Sequence, residues 1–185
     1  MANKVEFGIS QLHVATYAVE NGTVTIGTPY YQAGAVSFSP EENSEQSTFY
    51  ADNIAYWSGY SGGTIEGDLE VAMFDDAFKT QFLGYKALTD GGLANVKNAT
   101  KPNVAIFFQV EGDSESRRVA LFNCSLGAIT REYNTIEESK EPTTETLAVT
   151  CTGDNASGVT MAVYKPSDTG YATLFTAPTA PQIAP

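Results

Sequence analysis

Lysine and arginine are absent between Lys4 and Lys79, a stretch that holds eleven of the chain's 22 acidic residues. With 10 basic residues in all, the 185-residue chain has a formal net charge of −12 at pH 7. A surface of this sign repels the phosphate backbone of nucleic acids, which excludes sequence reading by a basic face. Two interpretations follow: an ordinary solvated acidic surface, or a surface selected not to adhere to a polyanion.

Histidine and cysteine are also scarce, with His13, Cys124 and Cys151 as the complete set. A structural zinc site takes about four such ligands, and no serine lies in a G-x-S-x-G elbow. No phosphate-binding glycine loop occurs either. We therefore expect no catalytic residues, no metal and no cofactor, and interpret the chain as a non-enzyme with a structural His13. Whether the two cysteines are bridged stays open.

Long apolar runs are missing as well. Nothing reaches the roughly 18 apolar residues of a membrane span, and no signal-peptide core follows Met1. We expect a protein made in the cytoplasm and not inserted in a membrane. The length suits one domain, placed at residues 1–165. An Ala/Thr/Pro-rich tail over residues 166–185 is predicted to be mobile.

Alternation of apolar and polar residues dominates what is present and predicts a mainly β fold. Val5, Phe7 and Ile9 predict a first strand. Residues 12–19 predict a second strand with a break near Thr16, followed by a hairpin turn at Asn21-Gly22.

One helix is expected over residues 74–84. Phe74, Phe78 and Phe82 follow the i, i+4 spacing of a single apolar stripe, which is typical of a core-facing helix. Asp75 or Asp76 can cap its start, and Gly84 suits its end.

Residues 39–63 change character and predict a long, loop-like segment. Five aromatic residues fall within twelve positions, too many to leave in water without a role. One interpretation is a hairpin folded back on its own core. The other, which we favour, is an arm that packs on another subunit, since aromatic residues are enriched at interfaces. The predicted arm residues are Glu41, Glu42, Glu45, Phe49, Tyr50, Tyr56, Trp57 and Tyr60.

Residues 64–71 form the clearest strand pattern of the chain. Ile65, Leu69 and Val71 alternate with Glu66, Asp68 and Glu70. Alternate residues of a strand lie about 6.6–7 Å apart on one face. The three carboxylates therefore form a like-charged row that needs water beside it.

Six short segments, taken in order, resemble one known family: 5–15 (VEFGISQLHVA), 34–41 (GAVSFSPE), 49–53 (FYADN), 63–69 (GTIEGDL), 131–135 (REYNT) and 141–147 (EPTTETL). This is the major tail protein (tail tube protein) family of long-tailed, non-contractile bacteriophages of Gram-positive hosts. The resemblance extends over residues 2–165.

The resemblance implies a tail-tube-type β-sandwich with one flanking α-helix and a long extended loop. Inner sheets would join into a closed barrel in a hexameric ring, and stacked rings would form the tube of the virion through which the genome is ejected. Residues 39–63 would reach a neighbouring subunit or ring. The implied partners are further copies of the chain and the tape measure, tail terminator and distal tail proteins. DNA would pass without specific binding, and no membrane is involved. In such a tube we predict that Glu66, Asp68 and Glu70 face the lumen.

Two alternatives remain. One is a carbohydrate-binding β-sandwich that uses Tyr56, Trp57 and Tyr60 as a stacking platform. The other is a different ring-forming tail component, such as a terminator or hub, which does not stack indefinitely.

Overall fold

The computed structural model describes residues 8–112, 115–135 and 142–184, apart from the side chain of Ser61. Within these ranges it contains one helix, α1 (Asp76–Phe82), and eleven strands. The strands are β1 (Gly8–Glu20), β2 (Thr23–Ile26), β3 (Tyr30–Tyr31), β4 (Ala35–Ala51), β5 (Ile54–Val71), β6 (Lys86–Ala87), β7 (Leu93–Ala94), β8 (Asn103–Glu111), β9 (Arg118–Arg131), β10 (Glu145–Cys151) and β11 (Met161–Tyr164). No helix in the described ranges has the length and apolar character needed to cross a bilayer.

Nine strands share one antiparallel sheet in the order β2-β1-β8-β9-β10-β5-β4, with β3 added to β1 and β11 to β9. Strands β6 and β7 form a separate two-stranded ribbon. The fold is thus mainly β with one short helix, as predicted. The sheet is open, because its path ends at β2 and β4.

The sheet curls around its main core. Phe38 in β4 packs edge-on against Phe108 in β8 with ring centroids 5.8 Å apart, although three strands lie between them in the sheet. Leu12, Leu69 and Leu147, from three different strands, are fully buried in this core. Burial of each such side chain stabilises the fold by about 1.5–3 kcal/mol. One curled sheet therefore takes the place of the two stacked sheets expected of a sandwich.

The first described strand differs from the prediction. Val5 and Phe7 lie outside the described residues, and β1 is continuous through Thr16. Its irregularity lies instead between Ser10 and His13, where Gln11 has a φ of 54°. The alternation was misleading because β1 is covered on both faces: Leu12 and Val14 join the main core, and Ala15 joins a second cluster.

Helix α1 confirms the predicted stripe. Phe74, Phe78 and Phe82 are buried in the main core, and Gly84 follows the helix with a φ of 72°. The helix is shorter than residues 74–84. Asp75 is the N-cap residue but caps no backbone N–H with its side chain. Its carboxylate instead accepts a hydrogen bond from the Tyr30 hydroxyl at 3.1 Å.

The prediction of a mobile C-terminal tail is wrong for the stretch around Leu174. Leu174 is buried in the second cluster with Phe107 and Phe122, on the sheet face opposite the main core. Phe175 stacks on His13 with ring centroids 4.4 Å apart. The abundance of Ala, Thr and Pro concealed these two apolar anchors, which cover a sheet face that would otherwise meet water.

The two cysteines lie directly opposite each other on β9 and β10 and are joined as a disulfide. Both are fully buried. The question left open by the sequence is thus answered by strand register, which brings together residues 27 positions apart.

Candidate assembly site

Strands β4 and β5 form a hairpin that projects from the sheet. They pair with each other from Ala35 opposite Val71 to Ala51 opposite Ile54. Strand β10 accompanies β5 only between Ile65 and Val71. Residues 43–64, here called the arm, therefore continue as a two-stranded ribbon. The nine arm residues on β4, 43–51, correspond to about 30 Å of reach.

The arm reverses at a two-residue turn. Asp52 and Asn53 have φ values of 51° and 61°, the double left-handed conformation that matches the twist of a hairpin. Asp and Asn tolerate this conformation better than most residues. The expected loop over residues 39–63 is thus a β-hairpin, and this Asp-Asn pair was the sequence signal for it.

Two extra residues on β5 interrupt the pairing of the arm. The partner of Asn43 is Thr64 while that of Ser44 is Gly62, so Gly63 is unpaired. In the same way, Tyr56 lies between the partners of Phe49 and Tyr50. Such bulges bend a ribbon and increase its twist.

The aromatic residues of the arm are exposed, so the arm does not fold back on its own core. Tyr56 is 74% exposed, Tyr60 71% and Tyr50 67%. Phe49 and Trp57, directly opposite each other, form a cross-strand pair that also faces solvent. A contiguous exposed aromatic surface of this kind marks an interaction site.

The aromatic residues are distributed over both faces of the arm. Trp57 pairs with Phe49, whereas Tyr60 pairs with Gln46. Because Gln46 and Phe49 are an odd number of positions apart on β4, Trp57 and Tyr60 point to opposite faces. The indole lies across Gly59, where an added Cβ would come within 2.5 Å of the ring. A single stacking platform built from Trp57 and Tyr60 does not exist.

The acidic row lies on the outer face of β5, as the alternation predicted. Ile65, Leu69 and Val71 are buried, while Glu66 and Asp68 are exposed and Glu70 is half-buried. Strand β4 widens the row, because Glu41 lies directly opposite Glu66. The predicted arm residue Glu41 thus belongs to this acidic face, defined here as Glu41, Glu66, Asp68 and Glu70.

Two hydroxyl groups hold Glu70 in its charged form. Thr144 donates a hydrogen bond to Oε1 at 2.6 Å, and Ser37 donates one to Oε2 at 2.9 Å. Hydrogen bonds to a carboxylate favour ionisation. These two bonds, that of Thr144 first, lower the pKa of Glu70.

Uncharged side chains surround the acidic face. The cross-strand neighbours of Asp68 are Ser39 and Ala148, and Glu66 has Thr150 on its other side. The shallow depression on this face is lined by Ser39, Glu41, Glu66, Gly67, Asp68, Ala148, Val149 and Thr150, without a basic side chain. The face therefore presents uncompensated negative charge to whatever lies opposite.

A buried carboxylate ties α1 to the sheet. Glu145, 2% exposed, contacts Arg131 on β9 and lies 3.5 Å from the Lys79 ammonium group. It also accepts a hydrogen bond from the Phe74 N–H at 2.7 Å. Burial and then the Arg131 charge lower the pKa of Lys79. Sequence analysis missed this cluster, because Glu145 occurs in a run of acidic residues that suggested solvent.

A second buried carboxylate organises the turn after β10. Asp154 accepts hydrogen bonds from Tyr17 Oη at 2.9 Å and from the N–H and hydroxyl of Ser157 at 2.8 and 2.7 Å. Burial acts to raise the pKa of Asp154, but these hydrogen bonds outweigh it and the pKa is lowered. The role of Asp154 is therefore to hold this turn in place.

His13 also has a structural role. It is 9% exposed, its Nδ1 lies 2.7 Å from the Gln11 carbonyl oxygen, and its ring stacks on Phe175. Burial, followed by the Arg118 charge, lowers its pKa. Arg118 itself lies 4.0 and 4.1 Å from the ring centres of Tyr171 and Phe175. No nucleophile is hydrogen-bonded to the imidazole among the described residues.

The structure brings the predicted site residues together in part. The acidic face is one contiguous patch of the sheet, and the aromatic residues lie farther out along the same hairpin. Between them, Glu42 just before the arm and Glu45 within it are exposed. The predicted subunit contact and the predicted lumen position concern an assembly and stay predictions.

Comparison with known proteins gives a consistent result. The model of a family described as phage tail tube protein matches residues 2–173. No curated protein sequence matches. Among solved structures, the cap that terminates the tube of the anti-feeding prophage is similar with a TM-score of 0.51 at 9% identity, over 88% of this chain and 95% of that chain. A chain of the sheath–tube complex of an extracellular contractile injection system gives a TM-score of 0.49 at 10% identity, over 87% and 94%.

The family match extends past Lys165 and ends just before Leu174 and Phe175, which pack on the second cluster. The similarity to the cap concerns the fold alone. Together with the projecting arm and the acidic sheet face, the match over nearly the whole chain identifies this protein as a member of the phage tail tube protein family, a structural component of the virion tail.

Proposed function

We propose that this chain polymerises as stacked hexameric rings into a tail tube and that the genome passes through the tube during ejection. The observation that carries the proposal is the arm, a ribbon of about 30 Å with exposed aromatic residues on both faces. A monomer gains nothing from such a surface, whereas a neighbouring subunit can bury it. Head-to-tail contacts of one chain with the next produce open-ended filaments.

The acidic face supports a lumenal position for β5. A conduit for DNA must not bind the phosphates that pass through it, and like charge prevents counterion-release binding. Glu66, Asp68 and Glu70 would line the lumen, with Glu41 beside them. Joining of sheet edges between subunits would also cover the edge of β4, which is unpaired in the sheet path.

The partners of the proposed tube are further copies of the chain, with tape measure, tail terminator and distal tail proteins at or inside its ends. We place the chain in long-tailed, non-contractile phages of Gram-positive hosts, on the six segments that resemble that group. DNA is a transient passenger without a specific site.

Electron microscopy of concentrated, purified protein tests the proposal, and rings or tubes are the expected result. The matched variant has a shortened arm, in which Asn-Gly replaces residues 45–61 and connects Ser44 to Gly62, a cross-strand pair in the hairpin. It should retain the circular dichroism of the parent and remain monomeric. A parent that stays monomeric at high concentration would contradict the proposal, and normal tubes from the variant would remove the arm from it.

A terminator is the second candidate, because the fold is shared with a tube-terminating cap. The two functions differ in ring number. A tube subunit continues to add rings as concentration rises, whereas a terminator stops at one or a fixed few. The length distribution of the assemblies in the same micrographs separates them.

A further inference from the structure

The arm and the segment between β5 and β8 leave the sheet at opposite ends. Strand β5 runs from the arm at Ile54 down to Val71, which pairs with Glu145 at the start of β10. The segment between β5 and β8 therefore leaves the sheet at the end opposite the arm, here called the opposite pole. Tyr85 stays close to this pole, because its N–H donates to the Lys79 carbonyl oxygen at 3.1 Å and the Lys79 ammonium group lies 3.5 Å from Glu145. The segment rejoins the sheet farther along, where Val104 on β8 pairs with Cys124 on β9.

The segment between β5 and β8 carries lysine in an otherwise acidic protein. Between residues 77 and 110 the chain has four lysines and one acidic residue, Asp90. Lys79 is paired with Glu145, and the Lys101 ammonium group donates to the Leu126 carbonyl at 3.1 Å and to that of Gly127. Lys86 and Lys97 are exposed, and neither forms an ion pair with any residue that the structure describes.

Apolar side chains accompany these two lysines. Leu88 is 50% exposed and Val96 41% exposed. Lys86 lies on β6, which pairs only with β7 in a ribbon separate from the main sheet. This ribbon and the residues that follow it, 84–101, thus combine positive charge with exposed apolar surface.

The arm has the complementary composition. Its base carries Glu42 and Glu45, both exposed, and its outer part carries the exposed aromatic residues. No lysine or arginine occurs on it. Opposite charge patterns favour and orient an encounter, and placement at opposite poles is the arrangement that a head-to-tail contact requires.

We propose that residues 84–101 form the acceptor for the arm of a second copy of this chain, with Lys86 and Lys97 attracted to Glu42 and Glu45, which lie on opposite faces at the base of the incoming arm. Leu88 and Val96 contact its aromatic side chains. The inference rests on the proposed function, since it names the surface through which one subunit receives the next.

Charge reversal tests this pairing. Lys86→Glu with Lys97→Glu should raise the concentration needed for half-maximal assembly about tenfold, because two weak exposed attractions become repulsions. The arm variant Glu42→Lys with Glu45→Lys should have a similar effect.

Combining all four changes keeps the net charge of the parent and should restore assembly to within about threefold. Lys165→Glu is the control: this exposed lysine follows β11 and its ion pair with Glu115, 3.4 Å away, is a surface pair, so its reversal should shift assembly by less than about twofold.

Sedimentation across a concentration series gives the readout, and circular dichroism verifies that each variant is folded. Assembly of Lys86→Glu/Lys97→Glu at the parent's concentration, or absence of recovery in the fourfold variant, overturns the acceptor while leaving the proposed function intact. A parent that forms no rings or tubes overturns both. A photo-crosslinking residue at Trp57 supplies an independent readout: crosslinks to residues 84–101 of another copy support the acceptor, and crosslinks confined to other segments overturn it.

Discussion

Single carboxylates in this chain have very different roles although the sequence presents them alike. Glu66 and Asp68 face solvent beside uncharged neighbours, whereas Glu145 and Asp154 are each 2% exposed. The two buried carboxylates differ from the exposed ones in that hydrogen-bond donors and cations from distant segments converge on them. The charges of Glu145 and Asp154 stabilise the fold, whereas those of Glu66 and Asp68 remain accessible to a partner.

Asp154→Asn should lower the free energy of unfolding by about 1–2 kcal/mol at neutral pH, because the charged acceptor of several hydrogen bonds is lost. The pKa of Asp154 is lowered in the folded state. Its stabilising effect is therefore complete above the unfolded aspartate pKa and is lost as pH falls through the lower, folded value.

Denaturant titrations at neutral and acidic pH should show that the difference in unfolding free energy between parent and variant shrinks in acid. Exposed Asp90→Asn is the control, and equal stability of parent and Asp154→Asn at neutral pH would contradict the prediction.

At the scale of elements, the segment after β11 illustrates how composition can conceal packing. Leu174 lies among Phe107 and Phe122, and Arg118 lies against the Tyr171 and Phe175 rings while donating to the Tyr171 carbonyl at 2.6 Å. Three anchors, Tyr171, Leu174 and Phe175, in a polar, proline-containing stretch are enough to cover the second face of the sheet. The same cover explains why β1 and β8 lack a solvent face.

Leu174→Ala should destabilise the protein by about 2–4 kcal/mol, since it leaves a cavity against two buried aromatic rings. Ile183→Ala, 70% exposed in the same segment, should change stability by less than about 0.5 kcal/mol. Chemical denaturation measures both. Equal stability of the two variants would mean that the segment is not anchored in solution.

The spacing of apolar residues within one segment was enough to predict the helix and the orientation of side chains on β5. The Phe74, Phe78 and Phe82 stripe gave the helix, and the alternation of Ile65 to Val71 placed the three acidic side chains on one face. The Glu145 cluster and the covered second face depend on residues from distant segments, which no local period encodes. For the arm, a hairpin was one of two interpretations and a loop-like arm was the favoured one, because the bulges at Gly63 and Tyr56 break the period of two.

At the scale of the whole molecule, acidic and basic side chains lie on different surfaces. The acidic face occupies the outer side of β4 and β5, the aromatic residues extend beyond it, and exposed lysines lie at the other pole. A net charge of −12 therefore does not make all surfaces repel one another. The distribution is compatible with strong association in one orientation.

Reversal of the acidic row, Glu66→Lys with Asp68→Lys and Glu70→Lys, should leave tubes intact but slow DNA ejection by on the order of tenfold, because new phosphate contacts form along the lumen. The delay should shrink at high salt, which weakens such contacts. Glu20→Lys, exposed at the end of β1 and away from this face, is the control. Unchanged ejection from phage carrying the triple variant would place the row outside the lumen.

The two bulges in the arm have a consequence for how its length can vary among related proteins. Each extra residue on β5 exchanges inward- and outward-pointing positions for everything beyond it. Loss of Gly63 alone would remove one bend and leave Phe49 opposite Trp57, because Gly63 has no partner on β4. Changes of length within the paired part of the arm keep the tip facing the same way only when two residues are gained or lost on each strand, so we expect arm lengths in relatives to differ in steps of four residues.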